Sequence, residues 1–331
     1  MKLLLASLLV ASATTIQKPL VHDPVMAYED GTYYLYFTGQ DISQMTSKDL
    51  KNWTVTPNGV LDGKLPAWTH DSVPGFEHQV WAPDVIHYNN RWYMAYACST
   101  FGKNTSAIGL LSNDKLSDAD GWKDEGCILT SKAKRDNWNA IDPNFVIDDK
   151  GNPWLTWGSF WDGIQLIPLD KNMHVLAGAK PKTIARRFAF NVRDVPESEG
   201  GPVRYTPGNY PTGAGQNAIE APFIFKHDGY YYLFVSWDYC CSGIRSTYRV
   251  VVGRSKTVEG PYLDNRGIDM LDGGGVPVIE GDKKIFEAVG HCAVYRFGNK
   301  EHFIAHGYQI PGGESVLVDK EIKWQNGWPI L

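Results

Sequence analysis

At 331 residues, with 32 Lys and Arg against 37 Asp and Glu, the chain has a formal net charge of −5 at pH 7 and no basic block. That excludes a nucleic-acid partner, because gripping a phosphate backbone needs clustered cations. Aromatic residues make up 13% of the chain and include 12 Trp; most serve packing, and those at loop positions suit stacking on the flat apolar faces of sugars.

The chain opens with Met1-Lys2, an apolar run from Leu3 to Val10, and Ala11-Ser12-Ala13. A positive start, a short apolar core and an A-x-A site are the marks of a secretory signal, so residues 1–13 are expected to be cleaved and the protein exported. The run is too short to span a bilayer, and no later stretch is apolar enough to anchor the chain, so no membrane partner is expected. Residues 14–331 read as one domain, since all-β units of this kind often exceed the usual domain length.

Along the remaining chain one unit recurs five times: a polar or aromatic head, a turn, then an aromatic-rich strand. The heads are His22-Asp23-Pro24-Val25, Trp81-Ala82-Pro83-Asp84, Asp142-Pro143-Asn144-Phe145, Glu220-Ala221-Pro222-Phe223 and His291-Cys292-Ala293-Val294. Turn residues Gly31, Asn90, Gly151, Gly229 and Asn299 follow, and second strands start at Thr32, Arg91, Asn152, Tyr230 and Lys300. Alternation and β-branched or aromatic content predict strands there, with third strands from Ala107, Gly163, Tyr248 and Ser315. Helical periodicity of useful length is absent.

Five such units predict an all-β fold, a five-bladed β-propeller with four-stranded blades around a central channel. The heads are 58 to 78 residues apart, longer than a bare blade, so loops are inserted; the largest insert, 186–216, is rich in Pro and Gly and reads as irregular. Blade five has all its strands in the C-terminal segment. The first and last blades are therefore expected to close by side-chain packing, with no strand borrowed from the other terminus.

Heads that open innermost strands converge on the channel. In this register the ring is Asp23, Trp81, Asp142, Glu220 and His291, with Asp84 a structural residue at a strand start. Cleaving a glycosidic bond needs one carboxylic acid to protonate the leaving oxygen and one carboxylate to activate water or attack the sugar. A third carboxylate beside the acid raises its pKa by like-charge repulsion, a task that fits Asp142 next to Glu220. A lone Asp-Pro is more often just a turn; three carboxyls in register within one repeat family favour chemistry.

Five cysteines, at 98, 127, 240, 241 and 292, show no metal-like spacing. They are expected to pack as free thiols, with a strained vicinal Cys240–Cys241 bridge as the alternative in an oxidising compartment. Asn52-Trp53-Thr54 and Asn104-Thr105-Ser106 are glycosylation sequons if the host is a eukaryote.

Taken together, Val21-His22-Asp23-Pro24, Trp81-Ala82-Pro83-Asp84, Asn139-Ala140-Ile141-Asp142-Pro143 and Ile219-Glu220-Ala221-Pro222-Phe223 resemble glycoside hydrolase family 43. The stretches Asp238–Gly243 and Ser246–Val250 are similar to its endo-1,5-α-L-arabinanases. The resemblance runs from Val21 to the C-terminus. It implies hydrolysis of (1→5)-α-arabinofuranosidic bonds with inversion, Asp23 as general base, Glu220 as general acid, and Asp142 tuning and orienting that acid. It also implies substrate contacts at Trp81, Phe101, Gly102, Asn139, Ala140, Ile141, Ser159, Phe160 and Trp161. His291 corresponds to the residue that holds a channel metal, usually calcium, largely through water, although imidazole is an unusual ligand for a hard cation. The expected partner is arabinan or its oligosaccharides, acted on by a monomer. An exo-acting arabinofuranosidase or xylosidase of the same family, and a sugar-binding propeller without activity, are the competing readings.

Overall fold

The structure, a computed structural model, describes residues 15–188, 208, 210 and 212–331. The expected signal segment, 1–13, and residues 189–207, 209 and 211 of the long insert lie outside the described residues. The strands form a five-bladed β-propeller. Blade one pairs Val25–Glu29, Thr32–Phe37, Ser43–Ser47 and Trp53–Val55, with Thr15–Ile16 on its outer edge. Blade two pairs Gln79–Tyr88, Arg91–Cys98, Ser106–Asn113 and Lys123–Ser131, and blade one lends it Gly39–Gln40 on the inner edge. Blades three and four run Asn144–Ile147, Pro153–Trp157, Ile164–Pro168, Lys182–Ala185 and Ile219–His227, Tyr230–Trp237, Arg249–Ser255, Val276–Ile279.

Blade five departs from the expected four strands. Its sheet contains Phe286–Phe297, Lys300–Gln309 and Ser315–Glu321, while Lys323–Gln325 and Trp328–Ile330 form a separate hairpin. The lane beside Ser315–Glu321 is taken over a short stretch by the chain's own beginning. Leu20 bridges Val316, the Val21 N–H donates to the Ser315 carbonyl at 3.0 Å, and the Leu317 N–H donates to the Pro19 carbonyl at 3.0 Å. Closure by side-chain packing alone is thus corrected. An unpaired edge strand exposes backbone donors and acceptors, and the segment ahead of Asp23 lies near enough to satisfy them.

Consecutive strand residues point to opposite faces, and in a propeller each face meets a neighbouring blade. Leu233 therefore joins a cluster with Val146, Leu166 and Ile224, between blades three and four. Its neighbour Phe234 joins Val250, Val289 and Phe303, towards blade five. The same logic puts Tyr93, Leu110, Phe145 and Leu155 between blades two and three, and Met26, Leu35 and Ile304 between blades one and five. Middle strands are accordingly apolar on both faces. Each fully buried Leu, such as Leu35 or Leu233, contributes about 1.5–3 kcal/mol.

Of the two sequons, Asn104 is fully buried, and its Nδ2 donates to the Asp136 and Trp138 carbonyls at 3.0 and 3.2 Å. Its amide fixes the approach to Asn139–Asp142 and is closed to a glycan; Asn52 is exposed.

Candidate active site

All five heads carry one residue in the left-handed backbone region: Asp23, Ala82, Asp142, Ala221 and His291, with φ between 45 and 56°. L-residues with side chains rarely rest there, so each needs an anchor. The N–H of Asp23 donates to His306 Nδ1 at 3.1 Å, that of Ala82 to Thr38 Oγ1 at 2.8 Å, and that of His291 to Ser236 Oγ at 2.8 Å. Ala221 donates instead to Asp142 Oδ2 at 3.1 Å. Every one of these bonds runs from one blade to the next, so the turn that aims a head is also what joins the blades.

This equivalence corrects the expected ring by one residue in two blades. Ala82 and Ala221, not Trp81 and Glu220, share the backbone position of Asp23, Asp142 and His291. The pairing of first with second strands slips between Trp81 and Asp84, between Glu220 and Phe223 and between Gly290 and Ala293, so blades two and four differ from blade five in which residue of the bulge carries the larger side chain. A bulge of this kind adds a residue and re-aims the side chain before it. Glu220 thus reaches the site from the preceding position and is still brought to Asp23, Asp142 and His291, all four being buried.

Asp23 is held by three donors: His22 Nδ1 and His291 Nδ1 each 2.9 Å from Oδ1, and Thr38 Oγ1 2.5 Å from Oδ2. Burial alone would raise its pKa, but the imidazoles of His22 and His291 outweigh burial and hold it well below the usual carboxylate range. Reciprocally, burial opposes a charge on His291, yet the Asp23 carboxylate raises that imidazole to about 9. His306, buried and beside His22, is pushed well below its ordinary value. This agrees with its Nδ1 accepting the Asp23 N–H, which only an unprotonated nitrogen can do.

Glu220 Oε2 takes the Ser159 hydroxyl at 2.6 Å and Oε1 takes the Tyr248 hydroxyl at 2.8 Å. Burial raises its carboxyl despite these bonds, with the Asp23 charge adding to the rise. Asp142 is raised well above its ordinary value, by burial first and then by Glu220 and Asp23. The two titrate as a pair, and the pair keeps a proton where a solvated carboxyl has lost it. One ionised carboxylate therefore faces a pair that holds a proton, the division of labour acid–base hydrolysis requires.

Around these groups, Asn139 is buried with its Oδ1 accepting the Ser106 hydroxyl at 2.6 Å, and Ala140 and Ile141 are buried behind it. Ser159 sits on Glu220 itself. Phe160 is half-buried with its ring 5.8 Å from that of Tyr239, whereas Trp161 is buried. Trp81 is half-buried; Phe101 is 76% exposed and stands with the exposed Gly102 on the blade-two loop. Asp84 is structural but lies within the strand Gln79–Tyr88, not at its start: its Oδ2 accepts the Phe145 N–H at 2.7 Å and Asn144 Nδ2 at 3.2 Å, and burial raises it to about 7. Sequence reasoning passed over Thr38, Tyr248, His306 and Tyr308. Thr38, Ser236 and His306 all fall late in, or just after, a second strand, and aligning those strands as closely as the heads would have singled them out.

The cysteine expectation is corrected at one place. Cys240 and Cys241 are joined by a disulfide, with an S–S distance of 2.05 Å, while Cys98, Cys127 and Cys292 are free thiols. As for a channel metal, His291 Nδ1 is committed to Asp23, and Nε2 could meet an ion only where the ring gives up the proton that the Asp23 carboxylate favours. Among the described residues, the groups of three or more donors lying within 4.8 Å of one another are His22, Cys240 and Cys241, and His22, Asp23 and His306. Neither contains His291, and the members of both already bond one another. The donor set fits a hydrated cation touching the protein through one nitrogen, not a cage of protein oxygens.

Comparison with known proteins agrees with this geometry. The chain is 39% identical over 317 residues to the extracellular exo-α-(1→5)-L-arabinofuranosidase ArbA of Cellvibrio japonicus, covering 93% of this chain and 85% of that protein. It is 38% identical over 315 residues to the extracellular endo-α-(1→5)-L-arabinanase 1 of Bacillus subtilis, covering 94% and 87%. The crystal structure of an exo-1,5-α-L-arabinanase from a bovine ruminal metagenomic library superposes with a TM-score of 0.84 at 47% identity, covering 95% of this chain and 97% of that one. The model of the glycosyl hydrolases family 43 matches residues 15–329, and the chain belongs to that family.

Proposed function

We propose that this glycoside hydrolase cuts (1→5)-α-L-arabinofuranosidic bonds of arabinan by inversion at the anomeric carbon. The observation that carries the reading is the contrast within one buried site: Asp23 is held ionised by two imidazoles and a hydroxyl, while the Glu220–Asp142 pair retains a proton. Asp23 accepts a proton from the attacking water. Glu220 delivers one to the leaving oxygen, and Asp142 keeps that carboxyl protonated and fixes the backbone beside it through the Ala221 N–H. Trp81, Phe101 and Phe160 offer faces for sugar rings, and Asn139 and Ser159 offer polar contacts. A hydrated cation on His291 Nε2, calcium by the family resemblance, belongs to the proposal as a source of positive charge in the channel. No step above runs through it.

The names of the two sequence relatives support export and an arabinan substrate. Action as a monomer belongs to the proposal. Endo cleavage is the first reading, on the Asp238–Val250 stretch and the Bacillus subtilis relative. Exo cleavage is the second, favoured by identities of 39% and 47% to proteins named for it. Product analysis on debranched arabinan, with and without chelator, tests all of this at once. Early products of mixed length mean endo cleavage, a single short product from the first minutes means exo cleavage, and no products would end the proposal. The anomer first released, read by NMR, is inverted if the mechanism is right.

A further inference from the structure

Cys241 stands with φ at +66°, beside its disulfide partner Cys240. Cys240 packs against the small buried cluster of Tyr248, Ala288 and Tyr308, while Cys241 is exposed. The Cys241 N–H donates to the Tyr308 hydroxyl oxygen at 2.8 Å, and its sulfur lies 3.8 Å from His22 Nε2. Tyr308 in turn lies 2.9 Å from His22 Nε2 and 3.2 Å from His306 Nε2.

The Ser246 side chain also meets the Tyr308 hydroxyl, and with His22 neutral the donors and acceptors of the group balance as follows. His306 Nδ1 accepts the Asp23 N–H, so its proton is on Nε2 and goes to the Tyr308 oxygen. That oxygen also accepts from Cys241, which leaves the hydroxyl's own proton to point at His22 Nε2. With Nε2 accepting, His22 carries its proton on Nδ1, where it meets Asp23 Oδ1 at 2.9 Å. Without the Cys241 N–H the hydroxyl is free to turn, and the other tautomer of His22 would present a lone pair to the Asp23 carboxylate.

We propose that the Cys240–Cys241 bridge is a positioning element for Asp23: it holds Cys241 in the left-handed conformation, and so keeps Tyr308 and His22 in the arrangement that supplies Asp23 with a donor. An L-residue released from such a restraint relaxes to negative φ, which swings its N–H off Tyr308. Opening the bridge takes two electrons and two protons from a dithiol. The S–S bond breaks to two thiols and the dithiol is oxidised to its cyclic disulfide.

The inference rests on the reading of Asp23 as the base, and the test separates the two. The full-length enzyme is assayed on debranched arabinan before and after dithiothreitol, with bridge opening confirmed by thiol labelling. The expected result is a fall in kcat of about five-fold, the rate equivalent of one lost hydrogen bond, with KM within about two-fold and recovery on reoxidation. The pair Cys240→Ser, Cys241→Ser matches the reduced enzyme and no longer responds to dithiol, which removes Cys98, Cys127 and Cys292 as causes. Cys240→Ser with Cys241→Gly regains part of the loss, because glycine adopts positive φ without restraint; a purely structural role for the sulfurs predicts no such rescue. An unchanged kcat in enzyme proven to be reduced overturns the inference, and so does a rise in KM alone, which would make the bridge a substrate contact. Full activity in Asp23→Asn would instead overturn the assignment of the base.

Discussion

Gly290 and Tyr248 are fitted to each other: a Cβ built on Gly290 would lie 1.9 Å from Tyr248 Cδ1. The absent methyl lets the ring of blade four lie against the first strand of blade five and bring its hydroxyl to Glu220 Oε1 at 2.8 Å. Gly290→Ala is expected to cost about 1–3 kcal/mol of stability through overpacking and to lower kcat by displacing that hydroxyl. Tyr248→Phe should lower kcat while leaving the fold intact. Urea unfolding and steady-state kinetics on the two variants separate packing from chemistry.

Removing either carboxyl assigned to chemistry should abolish turnover without abolishing recognition. Asp23→Asn and Glu220→Gln are each expected to reduce kcat by about 10²–10⁴, with arabino-oligosaccharide binding still measurable by calorimetry. Near wild-type rates in either variant would contradict the assigned role.

The raised carboxyls of Asp142 and Glu220 make stability depend on pH in a definite direction. A carboxyl whose folded pKa lies above its unfolded value binds protons on folding. Its contribution is complete below the unfolded pKa and is lost as pH rises through the folded one. Glu220→Gln, which stays neutral, should therefore gain on the parent in thermal unfolding as pH rises from the unfolded carboxylate range towards alkalinity. Parallel Tm profiles for the two proteins would show that Glu220 is not raised.

The activity profile should move with the same pair. Asp142→Asn removes a like charge from beside Glu220 and so lowers the acid's pKa. The alkaline limb of kcat/KM is expected to shift to lower pH in this variant; an unmoved limb would leave Asp142 without its tuning role.

Closure of the ring by the chain's first described residues is open to a direct test. Deleting residues 15–20 removes the donation from Leu317 to Pro19 and the pairing of Leu20 with Val316. The bridge is made by two hydrogen bonds, Leu317 to Pro19 and Val21 to Ser315, and the deletion removes the first; at about 1 kcal/mol for a hydrogen bond, stability should fall by at least about 1 kcal/mol. Hydrogen exchange should quicken first at Ser315–Leu317 and at Trp53–Thr54, which pairs with Thr15–Ile16. Uniform exchange across all five blades would mean that the latch holds nothing.

Five heads, five turns and five aromatic second strands were legible in the chain because each is written in short-range terms. Turn residues stand at fixed offsets, and side chains suited to a pleated surface lie between them. The third strands expected from Ala107, Gly163, Tyr248 and Ser315 begin within one residue of those positions. The carboxyls converge as the repeat requires. Not legible were the slips at Trp81 and Glu220, because a bulge costs one unpaired residue and is decided by what the side chain meets in the next blade.

The sequence by itself determined the number of blades, the order of strands and which acids open them, since these follow from local pattern repeated along the chain. Only the tertiary structure decided how Asp23 is served. His22 is its neighbour in sequence, but His291, His306, Tyr308 and Cys241 arrive from blades four and five. It also decided that Leu20 would pair with Val316. Contacts of that range exist only once the ring has closed, and no short stretch of chain encodes them.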